Sequence, residues 1–480
     1  MRDNPRISVL LPLQDERQAG VDSMRAWTAQ RVDPGSFEIV ALAPGENRSL
    51  ERSVRPLLRE QDRWVDGPGM DEYELFNLGA RQARGQFIFI TEAHCVPESD
   101  CLAAMLEELE RTGAPGVRGR SVPETVGPLG ELESQEFEDA LRVEEDPHHW
   151  RKILIHSLAI RRELYLQAGG LPPAYGDFAP WPLAIALHSR GNRLVFSPRP
   201  RVRHVYDGDL RQLGSHVRSF GRGEMLYRSR TSSYVGSRYL DPAVEWEQRL
   251  AHTRGGAVRA LRAAAVLRHR GTWHEALRHL AVAVAGPRLP ITRARLGAAL
   301  AARRARRGRD LDRVRHQFRE FWRLTSRRGR LEGLREAGEG EAPAPPPVSR
   351  VEMSESFAGR SVGLFHAEEA PEGGIFRWTA PLAILKLNAP GSGTVRARIE
   401  LVPIERPADA QPAEPRVAVG WRSVEASWRG DAIEFEMPAG EHWISIACKP
   451  LRPGRHGVDD PRALGLPLRA IRFEPAGAPA

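Results

Sequence analysis

The stretch NLGARQARGQFIFITEAHCVP, residues 77–97, decides the fold. Its first part continues a helical pattern, YELFNLGARQARG, which Gly85 can terminate because glycine accepts the left-handed backbone at helix ends. QFIFIT then reads as a short apolar run of the kind that buried parallel strands show. The strand runs into Glu92, His94 and Cys95. Pro97 suits the start of a further helix, PESDCLAAMLEELERTG, closed by Gly113. Carboxylate and imidazole resist burial unless something compensates them. Their place at the end of a buried strand therefore raises two readings: a metal with a phosphate, or a site that has drifted from use.

Outward from this stretch, RISVLLPL and FEIVALA are further short apolar runs. Strand, helix, strand and helix in this rhythm predict a parallel α/β sheet over the first ~230 residues. At 480 residues the chain is too long for one ordinary core. Residues 241–336 read as helical and Arg-rich, 337–350 as a Pro-rich linker, and 351–480 as strand-like with Gly and Pro turns, the pattern of a β-sandwich. The expected organisation is an α/β domain over 1–240, a helical bridge, and a C-terminal all-β sandwich.

Hydrophobic content of 41% and charged content of 28% fit a soluble globular protein. Cys95, Cys101 and Cys448 make no disulfide framework and no zinc spacing. Cys95 itself reads as a packing residue, with no activating partner nearby in sequence. No apolar run reaches the ~20 residues that span a bilayer, and the first residues have no signal-peptide layout, so a cytoplasmic protein is expected. The net charge of +8 is concentrated: residues 303–330 carry twelve arginines against Asp310, Asp312 and Glu320. Lysine is nearly absent, so the arginines reflect a general bias, and no nucleic-acid motif accompanies them; specific nucleic-acid binding is not expected. The helix around Leu311, Val314, Phe318, Phe321 and Trp322 suits either peripheral contact with an anionic membrane or packing on the first domain.

Residues 77–97 resemble the central motif of inverting, family-two glycosyltransferases with a GT-A fold. Asn77, Gly79, Ala83 and Gly85 match the family's N-x-G-x-x-x-A-x-G helix, Glu92 and His94 stand at its two Asp-x-Asp positions, and Pro97 follows. ISVLLPLQDE looks like the family's first strand, SLAIRRELYLQAGGLPPAYGDF like its acceptor-side segment, and RVRHVYDGDLRQLGSHVRSFGRGE like the segment that closes the site. The resemblance covers about residues 5–230. It implies a Rossmann-like, mostly parallel sheet, a nucleotide-diphosphate sugar donor, and a glycan or lipid-linked acceptor in bacterial surface-polysaccharide or glycolipid assembly.

Departing a nucleoside diphosphate leaves at least two negative charges to stabilise, which a divalent cation does as a Lewis acid. Glu92, His94 and His204 are the candidate ligands, with Mg²⁺ suited to oxygen donors and Mn²⁺ favoured once imidazole joins. The resemblance places Pro12, Asp15, Glu46, Asn77 and Glu92 toward the nucleotide. Arg218 and Arg222 are candidate clamps for the diphosphate. Two family features are missing: Ala43, Pro44, Gly45 and Glu46 stand where an Asp pair meets base and ribose, and Ala179 and Pro180 stand where the catalytic Glu-Asp pair falls. The nearest carboxylate, Asp177, is the candidate general base, with Asp207 the weaker choice. A non-catalytic scaffold or carbohydrate-binding relative is the rival reading. In the C-terminal part Trp378, Trp421, Trp428 and Trp443 are candidates for sugar stacking, though alternation on a sheet more often places Trp in a core.

Overall fold

A computed structural model of the chain describes residues 4–14, 19–206, 209–231, 239–240, 256–267, 277, 285–305, 311–337, 345–354, 357, 361–404, 414–429, 431–453 and 464–475. They fall into two compact units, one drawn from Met1–Gly223 with Pro290–Ser326, the other from Glu224–Leu289 with Arg327–Ala480. The helical region between the expected α/β and β parts is thus shared out between both units.

The first unit is built on an eight-stranded sheet: β1 (Ile7–Pro12), β2 (Phe37–Ala43), β3 (Arg63–Asp66), β4 (Phe87–Ile90), β5 (Cys95–Pro97), β6 (Gly116–Thr125), β7 (Leu158–Arg161) and β8 (Val195–Tyr206). Their order is β3-β2-β1-β4-β7-β6-β8-β5. The first four run parallel. Strand β7 lies antiparallel between β4 and β6, β6 runs parallel to β8, and β5 closes the edge antiparallel to β8. β1 and β2 are buried at every position, which is why they read as unbroken apolar runs.

Helices cover both faces: α1 (Gly20–Thr28), α2 (Arg48–Val54), α3 (Glu72–Gln82), α4 (Cys101–Thr112), α5 (Gly127–Glu145), α6 (Arg162–Gln167), α7 (Pro180–Ser189) and α8 (Leu210–Arg230). Met24 and Trp27 of α1 and Leu102 and Met105 of α4 pack with Val9, Ile39 and Phe89. On the other face Phe76 of α3 and Leu183 of α7 pack with Leu10, Val40 and Ile88. Successive strand residues thus serve opposite cores, as the pleat requires.

Two local expectations change. Helix α3 opens with a reciprocal cap between Asp71 and Glu74 and ends at Gln82, with Ala83 already extended, so Gly85 does not terminate it. Gly85 is required for another reason: a Cβ there would stand 2.7 Å from the Ser8 backbone nitrogen and 2.8 Å from the Phe87 carbonyl oxygen. Pro97 ends β5 rather than starting a helix, and α4 begins at Cys101; its C-cap is Gly113 in the left-handed conformation, as the sequence predicts.

The second unit holds β9 (Arg350–Glu352), β10 (Ser361–Glu369), β11 (Ile375–Leu401), β12 (Arg416–Val419), β13 (Arg422–Val424), β14 (Ala426–Arg429), β15 (Ala432–Ala447) and β16 (Pro467–Pro475). The separate runs expected from GIFRWTA, AILKLNA and TVRARIELV join into the single strand β11, and AIEFEMPAG and HWISIACK join into β15. The two long strands pair antiparallel on both sides of a register shift between Ala389 and Thr394. Leu385, Leu387, Val395, Ala397 and Ile399 all enter one core with Ile433, Phe435, Ile444 and Ile446. The sandwich is therefore one sheet doubled over at this shift, a bend that an irregular ladder permits. Pairing is antiparallel except between β11 and β16.

The remaining helices are α9 (Gly256–Leu267), α10 (Ala285–Ala305) and α11 (Leu311–Glu336). Ala260, Ala263, Ala264 and Leu267 of α9 pack on Val362, Leu382, Ile384 and Ala418 of the β unit. Arg259 lies 4.4 Å over the Trp443 ring and Arg262 5.8 Å over Trp421. Trp378 is buried, leaving Trp428, 49% exposed, as the open tryptophan of the four candidates. Val314, Phe318 and Phe321 of α11 are buried, and Phe321 reaches 3.3 Å from where a Gly214 side chain would begin. The aromatic stripe of the basic helix is thus used in packing within the first unit. Among the described residues no helix is long and apolar enough to cross a membrane. Linker residues 338–344 lie outside the described residues.

Candidate functional site

Three segments bring one cluster together. The register of β4 against β7 sets Phe89 opposite Ala159 and Ile90 opposite Leu158. One step further, the Thr91 hydroxyl donates to the His156 carbonyl at 3.1 Å, so Glu92 emerges beside His156. The chain then turns through Ala93 and His94 into β5, where Cys95 lies opposite His204 of β8. The Ser23 hydroxyl, on α1, donates to the Cys95 carbonyl at 2.7 Å and holds β5 in place.

Glu92 is the centre. Its Oε2 lies 3.0 Å from His156 Nε2, 3.3 Å from His94 Nε2 and 3.5 Å from His204 Nε2. The Nε2 atoms of His94 and His204 approach to 3.0 Å, and Cys95 Sγ stands 3.7 Å from Glu92 Oε2. The His156 ring stacks on His204 at 3.9 Å between centroids, with Phe137 of α5 stacked behind His156. The Glu92 side chain is only 11% exposed. Burial opposes its ionisation, but the facing His156 and His94, with hydrogen bonds from His156 and His204, hold the carboxyl well below the usual carboxylate range. His156 Nδ1 is buried without a hydrogen-bond partner. Nε2 is therefore the His156 ring atom that engages Glu92 and orients the carboxylate.

These residues suit a metal ion. The ligand atoms of Glu92, His94, Cys95 and His204 all lie within 4.8 Å of one another, a span that one cation bridges. Glu92, His94 and His204, the three candidates from the sequence, lie side by side, and His156, which the sequence did not suggest, joins them. Nothing in its neighbourhood, KILIHSLAI, marks it; only the antiparallel register of β7 sets it against Glu92.

A second centre surrounds Asp177, on the turn before α7. Its Oδ1 accepts a hydrogen bond from the Tyr73 hydroxyl at 3.0 Å and lies 3.4 Å from His216 Nδ1. The Asp177 N–H donates to the Ser219 hydroxyl at 3.2 Å. Burial first, then the charges of Asp177 and Glu72, push the Tyr73 phenol well above its ordinary range, and Glu92 adds to the same shift. Tyr73 thus stays protonated in the field of both carboxylates.

The other candidates are spread more widely. Pro12 is buried as the last residue of β1, opposite Leu42. Glu46 is exposed beyond β2. Asp15 and Asp207 lie outside the described residues. Arg218 is exposed and Arg222 half-buried on α8, the helix that carries His216 and Ser219. Asn77 acts as a brace: its amide donates to the Leu171 carbonyl at 2.7 Å, and its Oδ1 accepts from Tyr165 and from the Leu171 N–H. A Cβ at Gly170, where φ is +69°, would come within 2.2 Å of that Oδ1, so this turn needs glycine. Ala179, where the resemblance expects a carboxylate, is fully buried.

No protein-family model matches the chain, and no curated protein matches it. Among solved structures it is similar to a mannosyltransferase from Pyrobaculum calidifontis in complex with GDP-Man and Mn²⁺, at 17% identity and a TM-score of 0.41, over 70% of this chain and 88% of that one. It is also similar to GalNAc-T7 with UDP, GalNAc and Mn²⁺, at 14% identity and a TM-score of 0.34, over 48% of this chain and 51% of that one. Both likenesses are partial.

Proposed function

We propose that the first unit is a glycosyltransferase that moves a sugar from a nucleotide-diphosphate donor to a glycan or lipid-linked acceptor with inversion. The observation that supports this reading best is the convergence of Glu92, His94 and His204 at the end of the central strand β4. Open α/β sheets bind ligands in the crevice beyond the carboxyl ends of their strands, and this is such an end. A divalent ion held by these three residues would supply Lewis acidity toward the leaving diphosphate. His156 orients Glu92 through its contact with Oε2. Arg218 and Arg222 are proposed for the diphosphate, Pro12, Asp15 and Glu46 for the nucleoside.

Asp177 is the proposed general base. Oδ1 is engaged by Tyr73 and His216, which aim the carboxylate. The reaction then needs the acceptor hydroxyl to give its proton to Asp177 as the new glycosidic bond forms. The rival reading, a non-catalytic relative, draws on buried Ala179 and on the absence of an Asp pair after β2.

A thermal-shift panel of nucleotide sugars, with and without Mn²⁺, separates the two. The transferase reading expects one donor class to raise the melting temperature only when a divalent ion is present. If no nucleotide sugar shifts the melt with any divalent ion, the reading fails.

A further inference from the structure

Resting only on the reading of this cluster as a metal site, and not on a Lewis-acid role that a closed four-ligand ion cannot fill, the geometry points to Cys95 as a fourth ligand in that site, and to an ion of the zinc class rather than Mg²⁺ or Mn²⁺. The first argument is spacing. Zn²⁺ with bonds of about 2.0–2.3 Å to oxygen, nitrogen and sulfur holds tetrahedral ligand atoms about 3.3–3.6 Å apart. The separations here are 3.0 Å between His94 and His204, 3.3 and 3.5 Å from each to Glu92, and 3.7 Å from Glu92 to Cys95 Sγ. Four of the six edges of such a tetrahedron thus lie near the required lengths, and all six lie within 4.8 Å.

Burial is the second argument. Cys95 is fully buried, and the side chains of Glu92, His94 and His204 are 11%, 12% and 3% exposed. Mg²⁺ dehydrates reluctantly and keeps several waters, which this enclosure does not favour, whereas Zn²⁺ binds four protein ligands without water. Donor chemistry is the third. Two imidazoles and a thiolate are intermediate-to-soft ligands, and affinity for such sets rises from Mn²⁺ toward Zn²⁺. Topology supplies the thiol: Cys95 sits directly opposite His204 in the β5–β8 ladder, so the two side chains project from the same face. Binding would displace the Sγ proton to solvent and leave a thiolate on the ion. His156 then keeps its place outside the ion, hydrogen-bonded to Glu92 and stacked on His204.

Titration of the purified full chain with Co²⁺ tests this. One equivalent should bind without any nucleotide, giving the intense visible absorption of a four-coordinate ion and a near-ultraviolet sulfur-to-cobalt band. Zn²⁺ should displace it and Mg²⁺ should not. Cys95→Ser should abolish the near-ultraviolet band and weaken Zn²⁺ binding about tenfold or more, while His156→Phe, which keeps the stack, should retain the band. X-ray absorption of the zinc-loaded unmodified chain, which needs no variant to fold, should show a sulfur neighbour at about 2.3 Å. Absence of sulfur there, or a band that survives Cys95→Ser and is lost in His156→Phe, overturns the assignment. A chain that holds Zn²⁺ through sulfur yet binds no nucleotide sugar removes the transferase reading and leaves this one standing. A chain that binds donors with Mn²⁺ and shows no sulfur ligand does the reverse.

Discussion

Glu92 in the first unit and Glu224 in the second are both buried carboxylates, and in both burial opposes ionisation yet loses. The partners differ. Glu224 is clamped by Arg228 at 2.7 Å and Arg330 at 2.9 Å, whose charges are permanent. Glu92 faces imidazoles, whose charge depends on a proton or a metal. An arginine clamp is complete as it stands and serves the fold. A carboxylate among imidazoles still has coordination to offer, as the proposed ion requires.

Four variants would break or sharpen this contrast. The largest effect is expected for Glu92→Ala with His94→Ala: divalent-dependent donor binding should vanish in calorimetry. Retained donor binding would dissolve the difference between the two carboxylates. Glu224→Gln should leave donor binding alone and cost about 3–5 kcal/mol in denaturant unfolding, because two guanidiniums lose their counter-charge. Its pKa is lowered from 4.5 in the fold, so its contribution is present above 4.5 and is lost as pH falls through the lower folded value. The unmodified chain should therefore lose stability on acidification below 4.5 by an increment that Glu224→Gln lacks.

Asp177→Asn keeps shape and removes basicity. Turnover should fall by about 100-fold while donor affinity holds, and full activity would refute its role. The smallest effect is expected for Asn77→Ala, about 1–3 kcal/mol of stability from the lost tether to residue 171, seen as a lower denaturation midpoint. Donor affinity should survive it; a selective loss of donor binding at unchanged stability would make Asn77 a ligand-contacting residue rather than a brace.

How far the sequence could be read follows from the length and surroundings of each element. β1 and β2 are legible because both faces are buried. β5 has three residues and β3 four, half-exposed, so neither leaves room for a period. The break between the halves of β11 looks like a turn, since Pro390, Gly391 and Gly393 sit there, and only the partner β15 shows that the ladder continues. At the site, Glu92 and His94 stand two residues apart in one motif, which is why the sequence points to them. His204 came from the resemblance. His156, Tyr73 and His216 became visible only with the fold, because each joins a carboxylate far away in sequence. Cys95 reads as packing from its neighbours and gains another meaning only from the residue across the ladder.

That ladder also sets a timetable. His94 and His204 stand 110 residues apart in the chain, and they meet only when β8 has docked beside β5. Closing so long a loop costs more entropy than the local β1–β2 and β2–β3 pairings, which it is expected to follow. The cluster is therefore a clock for the first unit: during refolding, the instant at which cobalt acquires its colour would mark the docking of β8 beside β5, and stopped-flow absorbance would read it directly.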